Sequence, residues 1–165
     1  MTKKRKYQLV EDYMIANREA HYRVAYSYVK SKENALDIIQ ESIYKALHSI
    51  DKLADIEAIK PWFYRILINT ALDFIRKHKK ISYVENEILD LTAPANEDHY
   101  TDIDLQQALD DLPALYKTVI ILKYFEGFKL EEIAKILDEN VNTIKTRLYT
   151  GLKKLRIQME VEENQ

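Results

Sequence analysis

The sequence has no cysteine, and only 2 glycines and 3 prolines occur among its 165 residues. Disulfides, thiolate nucleophiles and cysteine-ligated metals are therefore excluded. So little glycine and proline argues against glycine-rich phosphate loops and against a turn-dense all-β fold. No segment approaches the roughly 18 apolar residues of a membrane-spanning helix, and no apolar region follows the N-terminal MTKKRK as it would in a signal peptide. We therefore expect a soluble, cytoplasmic, all-α protein.

Apolar residues make up 47% of the chain and charged residues 32%, which is typical of a globular protein. The net charge of −2 conceals a segregation of charge along the chain. Residues 1–81 hold 16 Lys and Arg against 10 Asp and Glu, whereas residues 82–111 hold 9 acids and no Lys or Arg. Residues 112–165 hold 9 bases and 8 acids. This pattern fits solvated helices around an acidic loop, and it also fits a protein that binds a polyanion.

The acidic segment contains a candidate linker. Residues 82–101, SYVENEILDLTAPANEDHYT, include the turn-prone TAPANED and lack a sustained helical stripe. We therefore predict a helical domain over residues 1–81, a flexible acidic linker over residues 82–101, and a second helical domain over residues 102–165.

The stretch ALDIIQESIYKALHSI, residues 35–50, predicts an amphipathic helix with Ser31 as a plausible N-cap before it. Its apolar residues predict a buried face. Polar side chains at spacings of three and four are neighbours on the opposite face. A metal or acid–base pair is one interpretation, but no histidine lies within a turn of both acids; a solvated face and a docking face for a basic partner are the others. The predicted buried residues are Ile39, Ile43, Ala46 or Leu47, and Ile50, and the polar face consists of Asp37, Gln40, Glu41 and Tyr44.

The stretch IKPWFYRILINTALDFIRKHKK, residues 59–80, predicts a helix with Pro61 in its first turn and a basic C-terminal end. One face carries an aromatic ring, an amide and several Lys and Arg side chains. The ring can stack on nucleobases, the amide can hydrogen-bond base edges, and the Lys and Arg side chains can hold phosphates. An equally good interpretation is that the ring packs under the preceding loop and that the Lys and Arg side chains only solvate the helix. The inward residues are Phe63, Ile66, Leu67, Thr70, Ala71 and Phe74, and the outward ones are Trp62, Arg65, Asn69, Asp73, Arg76 and Lys80, with Lys77 beside them.

The stretch LEEIAKILDENVNTIKTRLYTGLKKLR, residues 130–156, predicts two helices joined by the three-residue turn DEN. A short turn and a small residue in the first helix, Ala134, are typical of a helix-turn-helix. The outward side of the second helix has bases and hydrogen-bonding groups without acids, which suits a major groove better than a plain packing role. The apolar stripes are Leu130, Ile133, Ala134 and Leu137, then Val141, Ile144, Leu148, Leu152 and Leu155; the outward residues are Asn142, Thr143, Lys145, Thr146, Arg147, Tyr149, Thr150 and Lys153.

Three stretches resemble, in the same order, parts of the extracytoplasmic-function (ECF) sigma factors, the small class of specificity subunits of bacterial RNA polymerase. NALDIIQESIYKAL, residues 34–47, resembles the helix that binds core polymerase. WFYRILINTALDFIRK, residues 62–77, resembles the helix that recognises the −10 promoter element. Residues 109–156 resemble the −35-recognition domain, a four-helix unit that ends in a helix-turn-helix.

The resemblance implies roles for individual residues. Asp37, Gln40 and Glu41, with Tyr44 beside them, match the motif that docks on the clamp coiled coil of the largest polymerase subunit. Asn69 matches a position that holds a flipped −10 base, and residues 53–59 match the loop that completes that pocket. The other −10 contacts implied are Trp62, Arg65, Arg76, Lys77 and Lys80, and the −35 contacts are Thr143, Lys145, Thr146, Arg147, Tyr149 and Thr150.

Three positions depart from the family pattern. Asp138 stands where the turn often has glycine, and Thr150 stands where a base is common. Gly151 replaces a better helix former, and we expect it to cost about 1 kcal/mol relative to alanine.

The resemblance implies a transcription factor without catalysis, cofactor or metal. Its partners would be core RNA polymerase, promoter DNA and a membrane-anchored anti-sigma factor. One alternative is a stand-alone helix-turn-helix regulator with a helical sensor domain, which would bind duplex DNA as a dimer. A small enzyme is the other, but the four histidines are scattered and no nucleophile motif is present.

Overall fold

The computed structural model describes residues 1–89 and 102–163, and their secondary structure is helical without strands. Side chains are described for residues 1–78 and 105–157. The prediction of an all-α protein is confirmed. The helices are α1 (Lys3–Ala16), α2 (Arg18–Val29), α3 (Lys32–His48), α4 (Ile59–Leu89), α5 (Asp102–Asp111), α6 (Ala114–Ile120), α7 (Leu130–Leu137) and α8 (Val141–Glu163). Short 3-10 turns cover Ile50–Lys52 and Ile56–Ala58, and a π-helical turn, Ile121–Phe125, extends α6.

Local hydrogen bonds explain where the first helices begin and end. The Ser31 hydroxyl accepts a bond from the Asn34 backbone N–H at 3.3 Å, which confirms Ser31 as the N-cap of α3. A break at Asn17, between α1 and α2, is absent from the sequence-based prediction. The Asn17 side-chain amide donates to the Tyr13 carbonyl at 2.8 Å and closes the end of α1.

Helix α4 is longer than predicted, with 31 residues from Ile59 to Leu89. Residues 82–89, which the sequence assigned to the linker, therefore belong to this helix. The rest of the predicted linker, residues 90–101, lies outside the described residues. The division into two domains remains a prediction, and we call α1–α4 the first unit and α5–α8 the second unit.

The first unit packs α2, α3 and α4 around a core whose centre is lined by small side chains of α3. Ala35, Ser42 and Ala46 are fully buried together with Ile38. The predicted core residues Ile39, Ile43 and Leu47 are only half-buried and pack at its edge. Small residues on the central line let neighbouring helices approach closely, and the Ser42 hydroxyl is satisfied by donating to the Ile38 carbonyl at 2.7 Å.

A buried histidine completes this core. His21 is 2% exposed, its Nε2 lies 3.1 Å from the Tyr13 hydroxyl, and its ring centroid is 4.5 Å from that of Phe63. Burial, assisted by the positive charge of Lys60, lowers the pKa of His21 to about 4. The ring is therefore neutral near pH 7 and acts as a hydrogen-bonded core residue.

The second unit depends on a close contact between α6 and α8 at Gly151, a buried residue. A Cβ placed on Gly151 would lie 3.1 Å from the Tyr116 Cβ and 3.1 Å from the Ile120 Cδ1. The sequence-based view of Gly151 as a poor helix former therefore omits its role, because this glycine lets the two helices touch.

We expect Gly151→Ala to give no net stabilisation, because the clash offsets the gain in helix propensity of about 1 kcal/mol. We expect Gly151→Val to lower the free energy of unfolding by about 1–3 kcal/mol through overpacking. Urea denaturation followed by circular dichroism measures both changes. Lys153→Val, on the exposed side of α8, is the matched control and should change stability by less than about 0.7 kcal/mol. A stabilised Gly151→Ala variant would contradict the close-packing explanation.

Candidate nucleic-acid and polymerase interfaces

The helix-turn-helix forms where the sequence predicts it, with α7 ending at Leu137 and α8 beginning at Val141. Asp138 adopts the left-handed conformation at φ 54° and ψ 51°. Aspartate is among the few non-glycine residues that visit this region readily. The backbone N–H of Glu139 then donates to the Ala134 carbonyl at 2.9 Å and closes α7. Asp138 thus takes the conformation for which other sequences use glycine.

Helix α8 presents a polar face opposite its buried side. Ile144 and Leu148 are buried, and the Asn140 side chain caps the helix by accepting from the Asn142 N–H at 2.8 Å. Of the residues predicted to contact the −35 element, some are exposed and others are half-buried. The exposed ones are Lys145, Thr146 and Tyr149, and the half-buried ones are Thr143, Arg147 and Thr150.

Arg147 does not project freely from this face. Its side chain is 19% exposed, and its guanidinium donates to the Glu139 carboxylate at 3.0 Å. The pair ties the turn to the first part of α8. In this conformation Arg147 holds the start of α8 against the turn, while Lys145 is exposed.

The outward face of α4 carries exposed Arg65, Asn69, Arg76 and Lys77. Arg76 forms an ion pair with Asp73 on the same helix at 2.6 Å. Trp62 is half-buried and packs against the core, so its ring is only partly available for stacking. The side chain of Lys80 lies outside the described residues. Asn69 is thus the exposed amide of this face.

The segment before α4 is anchored at both ends. Leu53 and Ile59 are buried, whereas Asp55 and Glu57 are exposed. The Asp55 carboxylate accepts from the Glu57 backbone N–H at 3.0 Å and holds the short turn between them.

The polar face of α3 is exposed as predicted, at Asp37, Gln40, Glu41 and Tyr44. Glu41 pairs with Lys45 at 3.4 Å on the surface. Leu36, which the sequence-based prediction missed, is 48% exposed beside Asp37. The sequence did contain a signal for its exposure, because Leu36 lies outside the apolar stripe of α3. The α3 face therefore combines two carboxylates with an apolar side chain.

Two features of the described residues bear on other classes of function. Among the side chains of residues 1–78 and 105–157, no His, Cys, Asp or Glu residues cluster as a metal site would require. None of the described helices has the length and apolarity needed to cross a membrane.

Two known protein families match this chain, each over a different segment. The family described as "Sigma-70 region 2" matches residues 14–81, and "Sigma-70, region 4" matches residues 102–155. RNA polymerase sigma factor SigV of Bacillus subtilis is 54% identical over 147 residues, covering 89% of each chain. ECF RNA polymerase sigma factor SigW of the same organism is 34% identical, covering 84% of this chain and 82% of the relative.

Solved structures show the same fold. The sigma factor RpoE in complex with the anti-sigma factor NepR from Bartonella quintana gives a TM-score of 0.72 at 23% identity, covering 92% of this chain and 96% of that one. CnrH in complex with the cytosolic domain of CnrY gives a TM-score of 0.68 at 18% identity, covering 92% of this chain and 88% of the other.

Proposed function

The chain belongs to the ECF RNA polymerase sigma factors, and we propose that it binds core RNA polymerase, directs it to specific promoters and helps to melt the −10 element. The observation that carries this function is the pair of polar helix faces on α4 and α8, one in each unit. Each binds weakly alone, but their linkage makes the second contact intramolecular. The protein then acts in the cytoplasm and has no catalysis of its own.

The docking surface for core polymerase is the exposed face of α3. Asp37 and Glu41 supply negative charge for a basic partner surface, Gln40 supplies an amide, and Tyr44 an exposed ring. Complementary charge of this kind raises association rates and fixes register.

Promoter reading is divided between the two other faces. Asn69, with residues 53–59, holds a base that has left the −10 duplex, which involves an unstacking cost of a few kcal/mol. The basic side chains of α4 hold the neighbouring phosphates. They are Arg65, Arg76, Lys77 and Lys80. On α8, Lys145 contacts phosphate while Thr146 and Tyr149 face the major groove of the −35 element, in line with the usual division between positioning and reading contacts.

An anti-sigma factor is the natural inhibitor in this scheme. Among the solved structures of the same fold, the sigma factor RpoE is bound to the anti-sigma factor NepR, and CnrH is bound to the cytosolic domain of CnrY. We propose that this chain is held by a membrane-anchored protein of the same functional class and released in an envelope stress response.

Reconstitution with purified core polymerase tests the function. We expect the protein to copurify with core and to start transcription from a cognate promoter, because reading the flipped −10 base requires melted DNA. Core alone is the control. Tight binding of the promoter duplex by the protein alone, as a dimer and at nanomolar strength, would instead support the stand-alone regulator, since a sigma factor relies on core for that affinity.

A further inference from the structure

The first turn of α1 carries four consecutive basic residues, Lys3, Lys4, Arg5 and Lys6, which we call the basic turn. Lys3, Lys4 and Arg5 are exposed, and Lys6 is half-buried. Of the side chains that the structure describes, only the Asp51 carboxylate forms an ion pair with this turn, at 3.5 Å from the Lys3 ammonium. The basic turn is therefore an exposed positive patch.

These charges do not stabilise the helix that carries them. The N-terminal end of a helix macrodipole is positive, so acids are favourable there and bases are unfavourable. The first turn of α1 contains no acid. The start of the helix is secured by Thr2, whose hydroxyl accepts from the Arg5 backbone N–H at 3.2 Å. The ion pair between Lys3 and Asp51 is largely exposed and contributes little. Binding of an anion from outside the chain gives the four charges a role.

The basic turn lies against the C-terminal end of α3. The Tyr7 hydroxyl, in the next turn of α1, donates to the Leu47 backbone carbonyl at 3.2 Å. Lys3 reaches Asp51, which lies two residues before the segment of residues 53–59. The basic turn is thus placed beside the start of the segment to which we assign part of the base pocket.

The same end of α3 contacts α4 next to Asn69. The Lys45 ammonium donates to the hydroxyl of Thr70, the residue after Asn69, at 3.2 Å. Lys45 and Leu47 are two residues apart, so the contacts of α3 with α4 and with α1 lie within one helical turn. The basic turn, residues 53–59 and Asn69 are therefore grouped at one end of the first unit.

The segment between α3 and α4 does not by itself attract a nucleic-acid backbone. Asp51, Asp55 and Glu57 are exposed there, and Lys52 is an exposed base. A DNA strand whose base enters the pocket brings its phosphates near these carboxylates, which repel them. The four bases of the basic turn outnumber the three acids. Proteins that bind single-stranded DNA combine such a positive surface along the backbone with contacts to individual bases.

Charge also separates the basic turn from the polymerase-docking face of α3. That face is acidic at Asp37 and Glu41, so we expect a basic polymerase surface opposite it. A cluster of bases is repelled by such a surface and attracted by DNA. The match to Sigma-70 region 2 begins at residue 14, so the basic turn lies outside the segment that defines the family.

We propose that the basic turn binds phosphates of the single-stranded non-template DNA beside the flipped −10 base. This inference rests on the proposed function, because single-stranded DNA reaches this end of the protein only when the −10 element is melted. The contacts are ionic and independent of sequence, so they hold the strand while Asn69 and residues 53–59 read the base. The basic turn stabilises the melted promoter and does not select it.

Neutralising the basic turn tests the proposal. Lys4→Gln, Arg5→Gln and Lys6→Gln together remove three charges and leave the pair of Lys3 with Asp51 in place. We expect holoenzyme with this variant to bind a promoter with a pre-melted −10 element at least ~10-fold more weakly. The salt slope of binding should fall by about 2, at ~0.7 for each lost single-strand contact. Circular dichroism verifies the helix content, and Lys4→Arg with Arg5→Lys should retain the affinity.

A charge-matched variant is the control. It neutralises three exposed bases of the first unit that lie on α2 and at the start of α3, away from the basic turn: Arg18→Gln, Arg23→Gln and Lys32→Gln. We expect it to change neither the affinity for the pre-melted promoter nor the salt slope. An equal loss in both triple variants would show a general effect of net charge and would overturn the inference.

Uncharged methylphosphonates then locate the contacts on the DNA. One non-template phosphate at a time is replaced in the pre-melted promoter. With the unchanged protein, replacements next to the flipped base should weaken binding by about 3-fold or more. With the variant neutralised at the basic turn they should have no further effect, because both changes remove the same contact.

Three results would contradict this assignment in different ways. An unchanged affinity and salt slope after neutralisation would overturn it. A loss of affinity for core without a change in the salt slope would place the basic turn on polymerase and would also overturn it. A holoenzyme of the unchanged protein that ignores mutation of the −10 element would overturn the proposed function, and this inference with it.

Discussion

Reversing the charges of Asp37 and Glu41 to lysine should weaken binding of core RNA polymerase by at least ~100-fold, or roughly 3 kcal/mol. Both carboxylates lie on the exposed face of α3, and Glu41 forms a surface ion pair with Lys45. Such a pair contributes about 0–1 kcal/mol, so losing it leaves the fold intact. Against a basic partner surface, however, two like charges are unfavourable by several kcal/mol.

The matched control reverses two acids that lie elsewhere in the first unit. Glu11→Lys with Asp12→Lys changes the net charge equally at exposed positions of α1. We expect this variant to bind core as the unchanged protein does. Fluorescence anisotropy with labelled protein measures both affinities, and circular dichroism verifies the helix content. Equal affinities for the two double variants would show that core polymerase docks elsewhere.

Asn69→Ala and Thr146→Ala should affect different promoter elements. Each should relax discrimination at one base-pair position by about 1–3 kcal/mol, because a base-reading contact is lost. Lys145→Ala should weaken binding to all sequences and lower the salt slope by about one unit, since it removes one phosphate contact. The measurement is transcription by reconstituted holoenzyme on promoters mutated separately at −10 and at −35.

The structure supplies controls for both helices. Lys153 is exposed on α8 beyond the proposed reading residues, and Lys77 is one of the proposed phosphate contacts on α4. Lys153→Ala should leave base preference unchanged, and Lys77→Ala should alter affinity without altering the preferred −10 sequence. A −35 preference altered by Asn69→Ala, or a −10 preference altered by Thr146→Ala, would contradict the assignment of one element to each helix.

Much of the fold could be predicted from the sequence because its helices are amphipathic and its turns are short. The helix-turn-helix boundaries, the Ser31 cap and the exposure of the α3 face all follow from local spacing and capping chemistry, which act over a few residues. These features do not depend on the arrangement of distant elements.

The remaining features depend on contacts between residues far apart in the chain. Lys117 is buried against the Ser27 carbonyl, which is 90 residues away in the sequence, so no periodicity predicts its burial. Likewise, the value of Gly151 becomes apparent only when α6 lies against α8. On α3, Ala35 and Ser42 were missed because large apolar side chains dominate the sequence pattern, although the smallest residues mark where helices come closest.

The length of α4 sets a physical limit on how far the protein can stretch. From Asn69 to Leu89 the helix spans about 30 Å at 1.5 Å per residue. Between Leu89 and Asp102 the chain has 13 residue steps, which reach at most ~45 Å when fully extended. Together these give about 75 Å, slightly less than the ~85 Å that about 25 base pairs span between the promoter elements at 3.4 Å per pair, and the second unit must bridge the rest. A molecule that contacts both elements at once is thus near its full extension. Its reach sets an upper bound on the spacer length of any promoter that it can read.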